Sequence, residues 1–155
     1  MSYPVLLILH LLAAIFFIGT VMFEMIVLDR ALAAARDAAR SGQAGSGLLL
    51  KPLQRDLTLR VRRIMPWVLL VLYAAGIGLA WHYRGALENP LGSSLGKLLS
   101  LKIILALSVL GHFLRAVTWM RSGGMTARRA RIIHASVLVH MLAIVVLAKI
   151  MFYVH

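Results

Sequence analysis

The sequence predicts an all-α integral membrane protein, a four-helix bundle in up-down-up-down order. Of its 155 residues, 61% are hydrophobic, which is too high a share for a soluble domain of this length. Apolar runs of about 20 residues are long enough to cross the hydrocarbon core of a bilayer. Four such runs occur, over residues 3–28, 64–83, 95–119 and 132–153. They are continuous rather than alternating, which excludes a β-barrel, so we expect one transmembrane domain over residues 1–155.

Composition predicts the connections between these runs. Residues 31–40 are alanine-rich and extend the first helix beyond the membrane, and the glycines of 41–47 end it. Apolar residues then recur every three or four positions over about 48–63. This spacing predicts a cytoplasmic amphipathic helix that leads into the second span, where Pro66 is expected to introduce a kink. Short turns join the remaining spans.

Basic residues are concentrated on one side of the predicted bundle. The formal charge is +12, and thirteen of the seventeen Lys and Arg residues lie between the first two runs or near the junction of the last two. This positive-inside pattern predicts that both basic loops face the cytoplasm and both termini face the periplasm. We therefore expect a multi-pass protein of the bacterial inner membrane. Anionic lipid headgroups account for the basic residues without a nucleic-acid partner.

The chain has no cysteine, which limits the cofactors that it can hold. Disulfides, thiolate metal sites, iron–sulfur clusters and covalently attached c-type haem are all excluded. A metal ion or haem must be bound through nitrogen, oxygen or thioether groups.

Histidines within the apolar runs are the candidate ligands. Burial of an imidazole in lipid costs free energy unless something binds the ring, and histidine is a common ligand of haem iron and copper. His112 and His140 are predicted to lie at one depth, roughly 10 to 12 Å from the cytoplasmic surface, on different helices. Such a pair suits a bis-imidazole haem. The alternative is two core histidines that hydrogen-bond to helix backbone or to each other.

A second pair of candidates lies nearer the outer surface. His10 and Lys102 are each predicted at about 10 Å of depth from the periplasmic face. His10 is a candidate ligand, and Lys102 could pair with a haem propionate or an anionic substrate, or reach the headgroups instead. Glu24 is expected to form an ion pair with a nearby arginine, with a proton relay as the alternative. His82 and His134 are expected at the interface rather than in a site.

Methionines supply an alternative chemistry, because thioethers suit Cu(I). The sequence contains eight, and five are predicted at a similar depth near the inner ends of the spans: Met22, Met25, Met65, Met120 and Met125. Methionine also fills gaps in ordinary helix packing, so this pattern alone does not establish a copper site.

Three segments together resemble the CopD-type membrane proteins, named for copper resistance, and the related HemJ-type protoporphyrinogen oxidases. They are Leu-His10-Leu-Leu-Ala-Ala followed by Phe-Ile-Gly19, Arg-Arg63-Ile-Met-Pro66, and the stretch from Leu-Lys102 to Gly-His112. The HemJ resemblance implies a b-type haem, with His10, Lys102 and His112 at matching positions. Ser100, Ile133 and Ala135 depart from the HemJ pattern, which makes the CopD type the closer match.

The leading hypothesis is a membrane-embedded redox protein with haem b held by His10, His112 or His140. It would transfer electrons or catalyse an oxidoreduction, and a lipid quinone or a periplasmic redox protein is a compatible partner. The second hypothesis is a copper-binding or copper-transport protein that uses histidine and methionine. The third is a structural subunit whose histidines only form hydrogen bonds. The sequence leaves open whether the chain is an enzyme and whether it forms an oligomer.

Overall fold

The structure is a computed structural model, and it describes residues 2–41, 47–151 and 153. These residues are helical apart from short turns, and no strand occurs among them. The chain divides into two compact units, Met1–Leu79 and Ala80–His155. Each unit is described by itself below.

The first unit begins with one long helical segment. Helix α1 (Tyr3–Phe23) has Pro4 in its first turn, where a missing backbone N–H costs nothing. It continues through a π-helical turn, Glu24–Leu28, into helix α2 (Asp29–Arg40). The predicted extension of the first span through the alanine-rich residues is therefore present.

Helix α3 (Gly47–His82) is longer than predicted. The expected amphipathic segment and the second span form a single helix of 36 residues, with Pro52 and Pro66 inside it. No glycine stands between residues 48 and 75, so the sequence contains no flexible break at which a separate interfacial helix would end.

The second unit is built around a helical hairpin. After the end of α3, the short helix α4 (Arg84–Glu88) leads to α5 (Ser94–Arg121) and α6 (Ala127–Ile150). Side-chain caps begin both long helices: Ser93 Oγ accepts from the Gly96 N–H, and Thr126 Oγ1 accepts from the Arg129 N–H. The turn between the two helices contains Gly123, whose φ of 70° favours glycine.

Among the described residues, four helical segments are long and apolar enough to cross a membrane, which confirms the predicted all-α class and the four candidate spans. They are Tyr3–Ala35, Arg55–His82, Ser94–Arg121 and Ala127–Ile150. Each segment extends beyond its predicted run at one end or at both. Helix α6, for example, begins before the predicted start of the fourth span because Thr126 supplies its cap.

Large apolar side chains are exposed along these helices. Leu12 is 60% exposed, Ile15 67% and Trp67 68%, whereas the buried side chains of α1 form a narrow stripe that includes Ala13 and Phe17. Exposed apolar surface on this scale would be unfavourable in water and is expected where lipid is the solvent. The chain is therefore consistent with a multi-pass membrane protein.

Gly96 provides a direct test of the close contact at the start of α5. A Cβ there would lie 2.8 Å from the Ala86 carbonyl oxygen and 2.9 Å from that of Pro90. Both atoms are backbone, so they cannot move aside cheaply. We expect Gly96→Ala to lower the free energy of unfolding by about 1–3 kcal/mol.

The measurement is thermal unfolding in detergent, with Gly111→Ala as the matched control on the same helix. A Cβ at Gly111 meets nothing within 4 Å. An unchanged midpoint for Gly96→Ala would show that the α4–α5 connection is looser than the structure describes.

Candidate functional site

The second unit contains a short internal repeat. Ser108-Val-Leu-Gly-His112 in α5 matches Ser136-Val-Leu-Val-His140 in α6 at four of five positions. In both copies the serine lies one helical turn before the histidine, so the two side chains share a face. The valine that follows each serine is buried, with Val109 3% and Val137 4% exposed. The repeats therefore present the same face to the helix–helix contact.

Reciprocal hydrogen bonds join the two repeats. Ser136 Oγ lies 3.0 Å from His112 Nε2, and Ser108 Oγ lies 3.2 Å from His140 Nε2. As the chain advances along α5, its contacts move backwards along α6, so the helices are antiparallel. We call Ser108, His112, Ser136 and His140 the quartet.

Each ring is also bonded to its own helix. His112 Nδ1 lies 2.7 Å from the Ser108 carbonyl oxygen, and His140 Nδ1 lies 2.7 Å from that of Ser136. A carbonyl oxygen can only accept a hydrogen bond, so Nδ1 carries the proton in both rings. In the neutral rings, Nε2 therefore holds the lone pair and accepts from the serine hydroxyl. The four residues form a closed loop of four hydrogen bonds.

The two imidazoles are close neighbours. Their centroids are 5.4 Å apart and their planes are inclined by 51°. Both residues are half-buried. The structure thus brings together His112 and His140, the two histidines that were predicted to lie at one depth.

No family model, no curated protein and no solved structure matches this chain. The resemblance to the CopD and HemJ types therefore stays a prediction.

His10 lies in the first unit, against α3. Its Nδ1 is 2.9 Å from the Leu72 carbonyl oxygen, to which it must donate. Gly76, one turn later on α3, makes room for the ring: a Cβ there would lie 3.2 Å from His10 Cε1. A hydrogen bond to backbone therefore fixes the tautomer of His10 as it does in the quartet, but here the carbonyl belongs to another helix.

The structure does not bring Lys102 to the quartet. It lies ten residues before His112 on α5, a distance of about 15 Å along the helix axis. Among the described residues, Lys102 has no hydrogen-bond or ion-pair partner, and it is half-buried. Lys149, by contrast, has its ammonium 5.8 Å from the Tyr153 ring centre. His155 lies outside the described residues.

Sequence reasoning identified the two histidines but missed the two serines. The repeated Ser-Val-Leu-x-His segment was the pattern that could have found them. Within the described part of the chain, no group of three or more His, Cys, Asp or Glu side chains could hold a metal ion. The two imidazoles are the candidate metal ligands that the structure brings together at the quartet.

Loss of a quartet serine should loosen the hairpin. We expect Ser108→Ala and Ser136→Ala each to lower the free energy of unfolding by about 0.6–1.7 kcal/mol, because each removes one inter-helix hydrogen bond in an apolar setting. Thermal unfolding in detergent measures the change. In the double variant the losses should not add, since the four bonds form one loop. Strict additivity would contradict a coupled quartet.

Gly76 tests the fit of His10 against α3. Gly76→Ala places a methyl group against the imidazole, 3.3 Å from Nδ1, so the ring must shift and its bond to Leu72 weakens. We expect this variant to be about 1–3 kcal/mol less stable than Gly19→Ala. The control meets nothing within 4 Å. Equal stability of the two variants would show that His10 does not pack on Gly76.

Proposed function

We propose that this chain is a membrane-embedded redox protein that binds haem b, with the imidazoles of the quartet as the candidate axial ligands. The observation that carries the proposal is which nitrogen of each imidazole ring holds the proton. Both Nδ1–H groups are engaged by backbone carbonyls, which directs the Nε2 lone pairs outward from each helix. Histidines that bind metals are commonly oriented in this way, and the hydrogen bond raises the basicity of the ligating nitrogen.

Serine hydroxyls engage both lone pairs in the structure. A serine side chain can leave an imidazole by rotation about its Cα–Cβ bond, without movement of the helix backbone. The cost is the loss of two inter-helix hydrogen bonds, each of about 0.6–1.7 kcal/mol. Coordination of a metal by imidazole can exceed that cost. The quartet is therefore compatible with ligand exchange at Nε2.

The short distance between the His112 and His140 rings limits how a haem could bind. Each nitrogen that binds a metal ion lies about 2 Å from it, so two ligating nitrogens can be at most about 4 Å apart. If both imidazoles bound one haem iron, the porphyrin would need space between the two imidazole rings. The centroids of the His112 and His140 rings are only 5.4 Å apart. The haem proposal therefore requires either that α5 and α6 separate on loading or that a single quartet imidazole ligates the iron.

Copper handling is the second candidate, and the same compactness favours it. A cuprous ion needs only two nitrogen ligands and no macrocycle, and imidazole suits copper. Two imidazoles would hold such an ion less firmly than a site with three or four ligands, which suits transfer to another carrier.

The setting and partners complete the proposal. The chain would lie in the bacterial inner membrane in up-down-up-down order, with both termini towards the periplasm; the positive-inside pattern supports this orientation. A lipid quinone or a periplasmic redox protein would exchange electrons with the cofactor. Lys102 would pair with a haem propionate, and His10 is a further candidate ligand. The resemblance to the CopD and HemJ types is consistent with these assignments.

Absorption spectra of the detergent-purified protein, with and without dithionite, test the proposal together with iron and copper assays. We expect a Soret band and sharp bands on reduction. His112→Ala and His140→Ala should each alter the same chromophore, because their rings form one site. Bound copper without these bands would support the second candidate, and a colourless, metal-free protein would contradict both.

The double variant Ser108→Ala/Ser136→Ala is the matched control. It breaks the same inter-helix hydrogen bonds as the histidine variants but keeps both imidazoles. If the histidines are ligands, this variant retains the chromophore while the histidine variants alter it. If both histidine variants leave the spectrum unchanged and His10→Ala abolishes it, the quartet is not the site.

A further inference from the structure

Two arginines converge on one tryptophan at the turn between α5 and α6. The guanidinium carbon of Arg115 lies 4.6 Å from the Trp119 ring centre, and that of Arg129 lies 4.8 Å from it. Arg115 is one turn before Trp119 on α5, and Arg129 is in the first turn of α6. Both helices therefore contribute a charge to the same indole.

Hydrogen bonds fix both the backbone and the guanidinium of Arg129. Its backbone N–H donates to Thr126 Oγ1 at 3.2 Å, and its Nη1 donates to the Gly124 carbonyl oxygen at 2.7 Å. The guanidinium also contacts the indole by a cation–π interaction, which contributes about 0.5–1 kcal/mol at an exposed site. This charge is thus positioned in advance, although the residue is exposed.

No acidic group of the second unit's hairpin can neutralise this pair. The last Asp or Glu in the sequence is Glu88, so α5, α6 and their turn contain none. Neither arginine has a carboxylate partner among the described residues. The two guanidiniums lie within about 9 Å of each other, and Arg121, Arg128 and Arg131 add further positive charge nearby. The compensating anion must come from outside this hairpin.

The position of the turn decides the source of that anion. Helix α5 has 28 residues and is about 42 Å long, longer than a hydrocarbon core of about 30 Å. Arg115 and Arg121 lie in its last two turns, and charged side chains favour the headgroups over hydrocarbon, so we infer that this end reaches the headgroup region. Tryptophan favours that interface, and arginine binds phosphate through two parallel N–H bonds.

We infer that Arg115, Trp119 and Arg129 form a binding site for the phosphate of an anionic phospholipid headgroup. Each guanidinium carries five N–H donors, and Arg129 uses one Nη1 donor for the Gly124 carbonyl, so both side chains keep donors for phosphate oxygens. The site does not depend on a haem or a copper ion, because it lies at the turn and shares no residue with the quartet.

The test titrates the detergent-purified chain with phosphatidylglycerol and follows the thermal unfolding midpoint. We expect a saturable rise in the midpoint, with no comparable rise from phosphatidylcholine or from inorganic phosphate. Arg115→Gln/Arg129→Gln should weaken the apparent affinity for phosphatidylglycerol by roughly tenfold or more, because it removes the charge-assisted hydrogen bonds to the phosphate. Trp119→Leu keeps both charges and should also weaken binding, because the guanidiniums lose their common support.

Arg121→Gln/Arg128→Gln is the matched control, since it removes the same charge from exposed residues of the same turn that do not contact Trp119. It should change the affinity by about twofold or less. Equal losses in the two arginine pairs would overturn the proposal in favour of diffuse attraction. An equal response to inorganic phosphate, or to phosphatidylcholine, would also overturn it.

Discussion

Imidazoles inside an apolar helix bundle must have their ring nitrogens satisfied, and this constraint organises both units of the chain. An unpaired polar group in hydrocarbon costs several kcal/mol, which is comparable with the net stability of a small domain. In α5 and α6, each Nδ1–H is bonded within its own helix and each Nε2 across to the other. In the first unit, the His10 Nδ1–H reaches the Leu72 carbonyl of another helix. The histidines thus help to fix which helix faces meet, because their partners lie on those faces.

The quartet joins α5 to α6 and also fixes which residues of the two helices lie opposite each other. In Ser108 and Ser136, the carbonyl oxygen accepts from the histidine of the same helix. The hydroxyl donates to the histidine of the other helix. A shift of one residue along either helix would break both inter-helix bonds at once. The same atoms that hold the helices together are those that a metal would need. A metal bound as proposed would compete with the two serine hydroxyls for Nε2, and that competition favours reversible occupancy over permanent storage.

The fold class was predictable, because continuous apolar runs and the absence of alternation depend only on local composition. The equal depth of His112 and His140 was predictable for the same reason, since helix rise converts sequence separation into distance. Periodicity did not predict the inter-helix hydrogen bonds of Ser108 and Ser136, because a serine in an apolar helix usually bonds its own backbone. The tautomers also required the structure, since they follow from which atom lies opposite Nδ1. The single helix α3 was predicted as two elements, because the basic residues of 48–63 suggested an interfacial helix distinct from the apolar span and Pro66 suggested a kink near their junction.

The charge distribution of the second unit links its two sites. With no acid after Glu88, the hairpin cannot neutralise its arginines internally, and every basic side chain must find an anion or water. At the turn, the indole of Trp119 contacts two of them, and this is where we infer that a lipid phosphate binds. One helical turn is about 5.4 Å, so Arg115 lies less than one turn along α5 from His112. An anion held by Arg115 would therefore act close to the quartet. A negative charge at that distance stabilises the oxidised, more positive state of any redox centre there. Binding of an anionic lipid would therefore lower the reduction potential of that centre.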